Sequence, residues 1–153
     1  LARAMGAHVT ALAGARNLDF VRGLGAHEAY DYATTGPAEL SLLEGFDVII
    51  DIVATDLPAY HRLLSPAGRL VAVSVGSFSS ALRLAGAALL RSRRTVFFSG
   101  NPRTALFRDL AGYVERGEVR PVVDTVHELA DISEAHRALE AGGVRGKHVI
   151  SLG

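Results

Sequence analysis

The chain of 153 residues is long enough for one compact domain with a sizeable core and short for two full domains joined by a linker. Its 49% hydrophobic content and its balance of 16 basic against 16 acidic residues argue against disorder and against a generally cationic nucleic-acid binder. The absence of cysteine excludes a disulfide framework and a thiolate metal cluster, and the lack of a signal-peptide pattern or of a spanning apolar run of roughly 18 residues leads to the expectation of a soluble, cytoplasmic protein with no membrane partner.

The chain opens at Leu1 on LARAMGAHVTALA, which reads as the end of an apolar helix running into a strand over residues 8–13. Such a beginning suits a partial sequence or a cut piece better than a natural terminus, with methionine removal and proteolytic processing as alternatives. Asn17 is placed to cap a helix over residues 18–24, and Gly25 to stop it. A short strand over 29–32, a turn over 34–37 and a short helix over 38–43 follow. Residues 46–53 form a nearly continuous apolar run broken by Asp47 and Asp51, the pattern of a buried parallel strand. A helix over 57–64, a break at Pro66 and Gly68, and a strand over 69–75 repeat the unit.

Residues 79–90 are apolar all round, which predicts a buried helix or one at a subunit contact. A strand over 95–99 comes next, then a longer helix opened by Asn101 and Pro102 and ended at Gly117. Val122, Val123 and Val126 predict a strand, residues 132–139 a helix and 147–152 a closing strand. This alternation favours a single three-layer α/β domain with a doubly wound, mostly parallel sheet, because crossover helices must cover both faces of buried parallel strands. Such a sheet binds ligands at the carboxyl ends of its strands.

LARAMGAHVTALAGARNLDFVRGLGAHEAYDY resembles the cofactor domain of the medium-chain dehydrogenase/reductases, particularly the zinc-independent quinone oxidoreductases and related enoyl reductases. FDVIIDIV, LLSPAGRLVAVS and RPVVDTVHELADISEAHRALEAGGVRGKHVISL extend the resemblance over nearly the whole chain. It implies a Rossmann domain that binds a nicotinamide dinucleotide, joined in the complete enzyme to a preceding substrate domain. It also implies that the family's first strand and glycine-rich phosphate turn lie before Leu1, since Gly6 and Gly14 lack the closely spaced backbone donors of that turn. Residues 1–153 then form a partial nucleotide-binding domain, and the piece alone is expected to bind cofactor weakly or not at all.

An NAD-selective site places an acid near the end of the second family strand, where it accepts hydrogen bonds from the ribose and repels a 2′-phosphate. The loop here, GARN, holds no acid. Arg16 offers a guanidinium that pairs with phosphate, and Asn17 a further donor; a solvated arginine followed by a helix cap is the plainer alternative, and the resemblance tips the balance towards NADP. Tyr32 matches a tyrosine near the adenosine end in family members, with a partly buried sheet-end tyrosine as the alternative. Val53 and Ala54 match the ribose region, although Ala54 replaces a frequent glycine and narrows the backbone approach. Val75, Gly76, Phe98 and Ser99 correspond to the nicotinamide half, Phe98 also suiting a core or interface and Ser99 a turn.

The resemblance implies a parent reaction in which NADPH gives hydride to a quinone or an activated carbon–carbon double bond. No catalytic residue and no metal ligand is assigned. His27, His61, His127, His136 and His148 are scattered among different elements, and their spacing defines no zinc cluster or hydrolytic triad. A non-catalytic dimerisation or interaction module is the competing class. Residues 95–99, helped by the apolar segment before them, are the expected homodimer contact.

Overall fold

The computed structural model describes residues 1–43, 45–53, 56–73, 95–97 and 103–152. They fall into two compact units, residues 1–31 with 103–153 and residues 32–102. Every strand pair among them is parallel, and a helix stands between successive strands except from β4 to β5, whose connection lies outside the described residues. This is the expected α/β class with Rossmann-like winding, and the sheets do not close into a barrel.

In the first unit, β1 (Thr10–Ala13) pairs with β2 (Glu28–Asp31), with Thr10 opposite Glu28 and Ala13 opposite Asp31. A parallel pair needs a crossover, supplied by a 3-10 turn (Ala15–Asn17) and helix α1 (Leu18–Gly23). Arg22 of α1 donates to the carbonyl of Ala29 at 3.0 Å, tying the helix to the strand it precedes. Gly25 ends the segment at φ +111°, the left-handed turn for which glycine was expected.

The same unit contains α4 (Thr104–Glu115), followed by Gly117 at φ +70°. It also contains β6 (Val123–Glu128), a 3-10 turn (Leu129–Asp131), α5 (Ile132–Ala141) and β7 (Lys147–Ser151). β6 and β7 pair in register from Val123 opposite Lys147 to Glu128 opposite Ser151, with one irregularity near Asp124.

The second unit begins with α2 (Pro37–Leu40), whose first turn is closed by Glu39 accepting from the Gly36 N–H at 2.7 Å. β3 (Phe46–Asp51) then pairs with β4 (Leu64–Ala72) across α3 (Leu57–Arg62), capped by Asp56 accepting from the Ala59 N–H at 3.1 Å. β5 (Thr95–Phe97) adds on the far side of β4, giving the order β3-β4-β5.

Two expectations are corrected here. Pro66 and Gly68 do not break the chain between helix and strand: β4 runs through them and the register jumps, with Phe46 opposite Leu64 and Val48 opposite Arg69. A side chain at Gly68 would put its Cβ 2.5 Å from the carbonyl oxygen of Phe46, so glycine permits a close approach rather than a stop. β3 is parallel as expected but not buried on both faces, since Val48 and Ile50 are 59% and 62% exposed. The tightest packing lies on β4 instead, where Leu70 and Ala72 are fully enclosed.

The strand expected over 95–99 is described only as far as Phe97. The predicted helix over 79–90 and the helix-opening signal at Asn101 and Pro102 lie outside the described residues.

Candidate functional site

The carboxyl end of β1 is the best-built candidate. The strand leaves Ala13 in extended backbone at Gly14, and the next three residues make the 3-10 turn, closed by the Asn17 N–H donating to the Gly14 carbonyl at 2.7 Å. The sequence lacks an acid here, and Arg16 is exposed at the tip. Asn17 stands at the N-cap of α1 but makes no side-chain cap bond. Its Oδ1 instead accepts from Nε of Arg145 at 3.0 Å, while Nη2 of Arg145 donates to the Arg16 carbonyl at 2.6 Å. The expected helix cap is therefore replaced by a clamp from 128 residues along the chain.

The second strand of this corner is fixed by backbone. Gly142 and Gly143 turn the chain at φ +72° and +81°, and Gly146 turns it again at φ +118° just before β7. A Cβ at Gly143 would lie 3.6 Å from Nη2 of Arg16, so the glycine turn passes directly beside that guanidinium. The Arg145 N–H donates to Oδ1 of Asp124 at 3.0 Å. That bond, then the Thr125 hydroxyl and the nearby His148 and Arg145, holds the Asp124 carboxyl below its ordinary range despite an opposing desolvation effect. Among the described residues neither Arg16 nor Arg145 makes an ion pair. The arrangement offers positive charge and N–H donors to an anion, and a nucleotide phosphate fits that donor set.

Other nominated residues are less well grouped. Tyr32 opens the second unit, just past β2, and is 67% exposed. Val53 is exposed beyond β3, where its N–H donates to Oδ1 of Asp51 at 2.9 Å. Burial, with the Asp51 and Asp56 charges adding, pushes the Tyr60 phenol on α3 above its ordinary value, which marks Tyr60 as a neighbour of this strand end. Ala54, Val75, Gly76, Phe98 and Ser99 lie outside the described residues.

The histidines are not all scattered. His127 Nε2 and His148 Nδ1 lie 3.1 Å apart on β6 and β7. The register explains this, because His127 is opposite Ile150 and the strand period puts residue 148 on the same face one diagonal away. Only the paired-strand register could have revealed it. The pair does not make a zinc site: the chain has no cysteine, and no three ligating side chains converge among the described residues. The described residues do not fit that metal.

A parallel α/β fold with a cationic corner at a strand's carboxyl end is the arrangement in which open α/β sheets place their ligands. The chain belongs to the medium-chain dehydrogenase/reductase superfamily, matching the family described as zinc-binding dehydrogenase over residues 24–150. It is 32% identical to a mitochondrial NAD(P)H oxidoreductase of Danio rerio, covering 99% of this chain and 44% of the relative. It is 31% identical to a chloroplastic quinone-oxidoreductase homologue of Spinacia oleracea, covering 98% and 46%, and 29% identical to a trans-enoyl reductase of Aspergillus terreus, covering 99% and 47%. Among solved structures it is similar to the quinone oxidoreductase from Coxiella burnetii, with a TM-score of 0.83 and 26% identity over 99% of this chain and 47% of that one. The chain thus spans about half the length of the curated relatives it matches.

Proposed function

We propose that the chain is the cofactor-binding part of an NADPH-dependent reductase that passes hydride to a quinone or an activated carbon–carbon double bond. The observation that carries the cofactor choice is the acid-free loop after β1, with Arg16 exposed at its tip. When bound, the dinucleotide supplies the hydride from its nicotinamide ring. The chain's own residues bind and orient it. Arg16 pairs with the 2′-phosphate, and Asn17, whose Oδ1 is already engaged by Arg145, has its amide N–H₂ to offer the same end.

In this reading Tyr32 serves the adenosine end, Val53 and Ala54 the ribose, and Val75, Gly76, Phe98 and Ser99 the nicotinamide half. Residues 1–153 are a partial domain, the family's first strand and glycine-rich turn lie outside them, and the chain by itself binds NADPH weakly or not at all. No catalytic role falls to any of its residues. The choice of acceptor is supported by the quinone-oxidoreductase and enoyl-reductase relatives.

The test is a paired titration of the full-length gene product with NADPH and NADH. Arg16→Ala is expected to weaken NADPH by about 1 to 3 kcal/mol, the range of a charge-assisted contact, and NADH far less. Equal losses for the two cofactors would signal general damage, and no loss would remove Arg16 from the site.

A homodimer accompanies this reading and is also the core of the competing one, a non-catalytic assembly module. Its support is β5, the end strand of the described sheet, where Val96 is 43% exposed. Sedimentation over a range of concentrations should show a reversible dimer that Val96→Lys weakens. A monomer for both proteins would end the dimer proposal.

A further inference from the structure

Arg145, just before β7, reaches the loop after β1. Its Nε and Nη2 meet two acceptors on consecutive residues, Oδ1 of Asn17 at 3.0 Å and the carbonyl of Arg16 at 2.6 Å. A planar fork of fixed N–H groups suits that spacing, whereas an ammonium reaches one such acceptor at a time with no set direction. The guanidinium carbon also lies 5.8 Å from the ring centre of Phe20, within the range of a cation–π contact with the first turns of α1.

The base of this side chain has little freedom. Its N–H is held by Asp124, and the following residue, Gly146, passes so close to Val122, just before β6, that a Cβ there would collide with the Val122 carbonyl oxygen. The Lys147 N–H then donates to that same carbonyl at 3.1 Å. β6 and β7 thus aim Arg145 at the loop after β1.

The loop needs the help. The 3-10 turn has no side-chain cap at its start, and α1 has none at Asn17, because the one side chain placed to cap it is turned to Arg145. Without the clamp, two backbone bonds are left to hold the turn, from the Asn17 N–H to the Gly14 carbonyl and from the Leu18 N–H to the Ala15 carbonyl, and the direction of Arg16 is set by an exposed loop.

We propose that Arg145 is a positioning residue for cofactor selectivity: it holds the backbone of Arg16 and the side chain of Asn17 so that the Arg16 guanidinium meets the 2′-phosphate, and does not itself bind that phosphate. This rests on the assignment of Arg16 to the 2′-phosphate. Arg145 acts through Arg16, so its effect must vanish once Arg16 is gone.

The experiment is a double-mutant cycle in the full-length gene product. Dissociation constants for NADPH and NADH are measured for the parent, Arg16→Ala, Arg145→Ala, Arg145→Lys and the Arg16→Ala, Arg145→Ala double variant, with thermal unfolding followed for each. Arg16→Ala is expected to lower the preference for NADPH over NADH by about tenfold or more. Arg145→Ala should lower it by about three- to tenfold with NADH affinity nearly unchanged, Arg145→Lys should fall between, and the double variant should match Arg16→Ala alone.

If Arg16→Ala removes the preference but Arg145→Ala keeps it, the positioning role is overturned and the Arg16 assignment stands. If the double variant loses clearly more than Arg16→Ala, Arg145 is a direct ligand and the positioning role is again overturned. Equal weakening of NADPH and NADH by Arg145→Ala would reduce it to a structural residue. No change with Arg16→Ala would overturn the Arg16 assignment itself and this inference with it.

Discussion

Leu70 on β4 and Arg145 before β7 represent two ways of fastening this chain. Around Leu70 the side chains are enclosed, Ala72 is almost wholly buried beside it in the strand, and the backbone at Gly68 presses against the Phe46 carbonyl. Around Arg145 the ties to Arg16, Asn17 and Asp124 are polar and exposed. Apolar burial contributes roughly 25 cal/mol per Å², and an exchanged hydrogen bond adds only about 0.5 to 1.5 kcal/mol net. The β3-β4 seam should therefore govern whether the second unit stays folded, while the Arg145 corner should govern the shape of a loop.

Gly146 is where that division is most open to attack. It adjoins Arg145, yet its φ of +118° and its closeness to Val122 make it as tightly packed as any residue of the seam. Gly146→Ala must both strain the backbone and displace β6 from β7, and is expected to cost about 4 kcal/mol of stability in urea unfolding. A loss below about 1 kcal/mol would show that the corner gives way easily and that backbone packing there is not limiting. Leu70→Ala should come next, at about 3 kcal/mol, because it empties a fully enclosed leucine site. If Leu70→Ala proved nearly neutral, the contrast between the two regions would be lost.

The order of elements was legible because local signals and tertiary demands agree. Gly25 and Gly117 take the left-handed conformations that stop a helix, and the alternation of strands with helices appears as parallel pairs. Pro66 and Gly68 misled because a break and a bulge call for the same residues, and only the partner strand distinguishes them. The apolar run of β3 misled because composition does not say which face is covered: Val48 and Ile50 share the open one.

At the candidate site, Arg16 and Asn17 were legible as a loop without an acid. Arg145 was not, because its partners lie 128 and 129 residues away and nothing local in VRGK marks a clamp. The pairing of His127 with His148 was hidden for a related reason, since it needs the register of two strands before any chemistry shows.

The smallest expected effect sharpens the comparison from the polar side, through Asp124. Its carboxyl is held below the ordinary range chiefly by the Arg145 N–H, with the Thr125 hydroxyl, His148 and Arg145 helping. A group whose folded pKa is depressed contributes stability that is present above its ordinary, unfolded value and is lost as pH falls through the lower folded value. Protonation thus loosens the bond at the base of Arg145 as pH falls below the ordinary carboxylate range. Asp124→Asn keeps an oxygen that can accept from the Arg145 N–H but carries no charge to titrate, so the variant should lack this component of the acid response. Urea midpoints of both proteins, compared from about pH 6 down to about pH 2.5, remove the effect of every other carboxylate by subtraction. The advantage of the parent over the variant should be constant above the ordinary carboxylate range and shrink below it. An advantage that grew on acidification would reverse the sign and show that Asp124 is better accommodated protonated than charged.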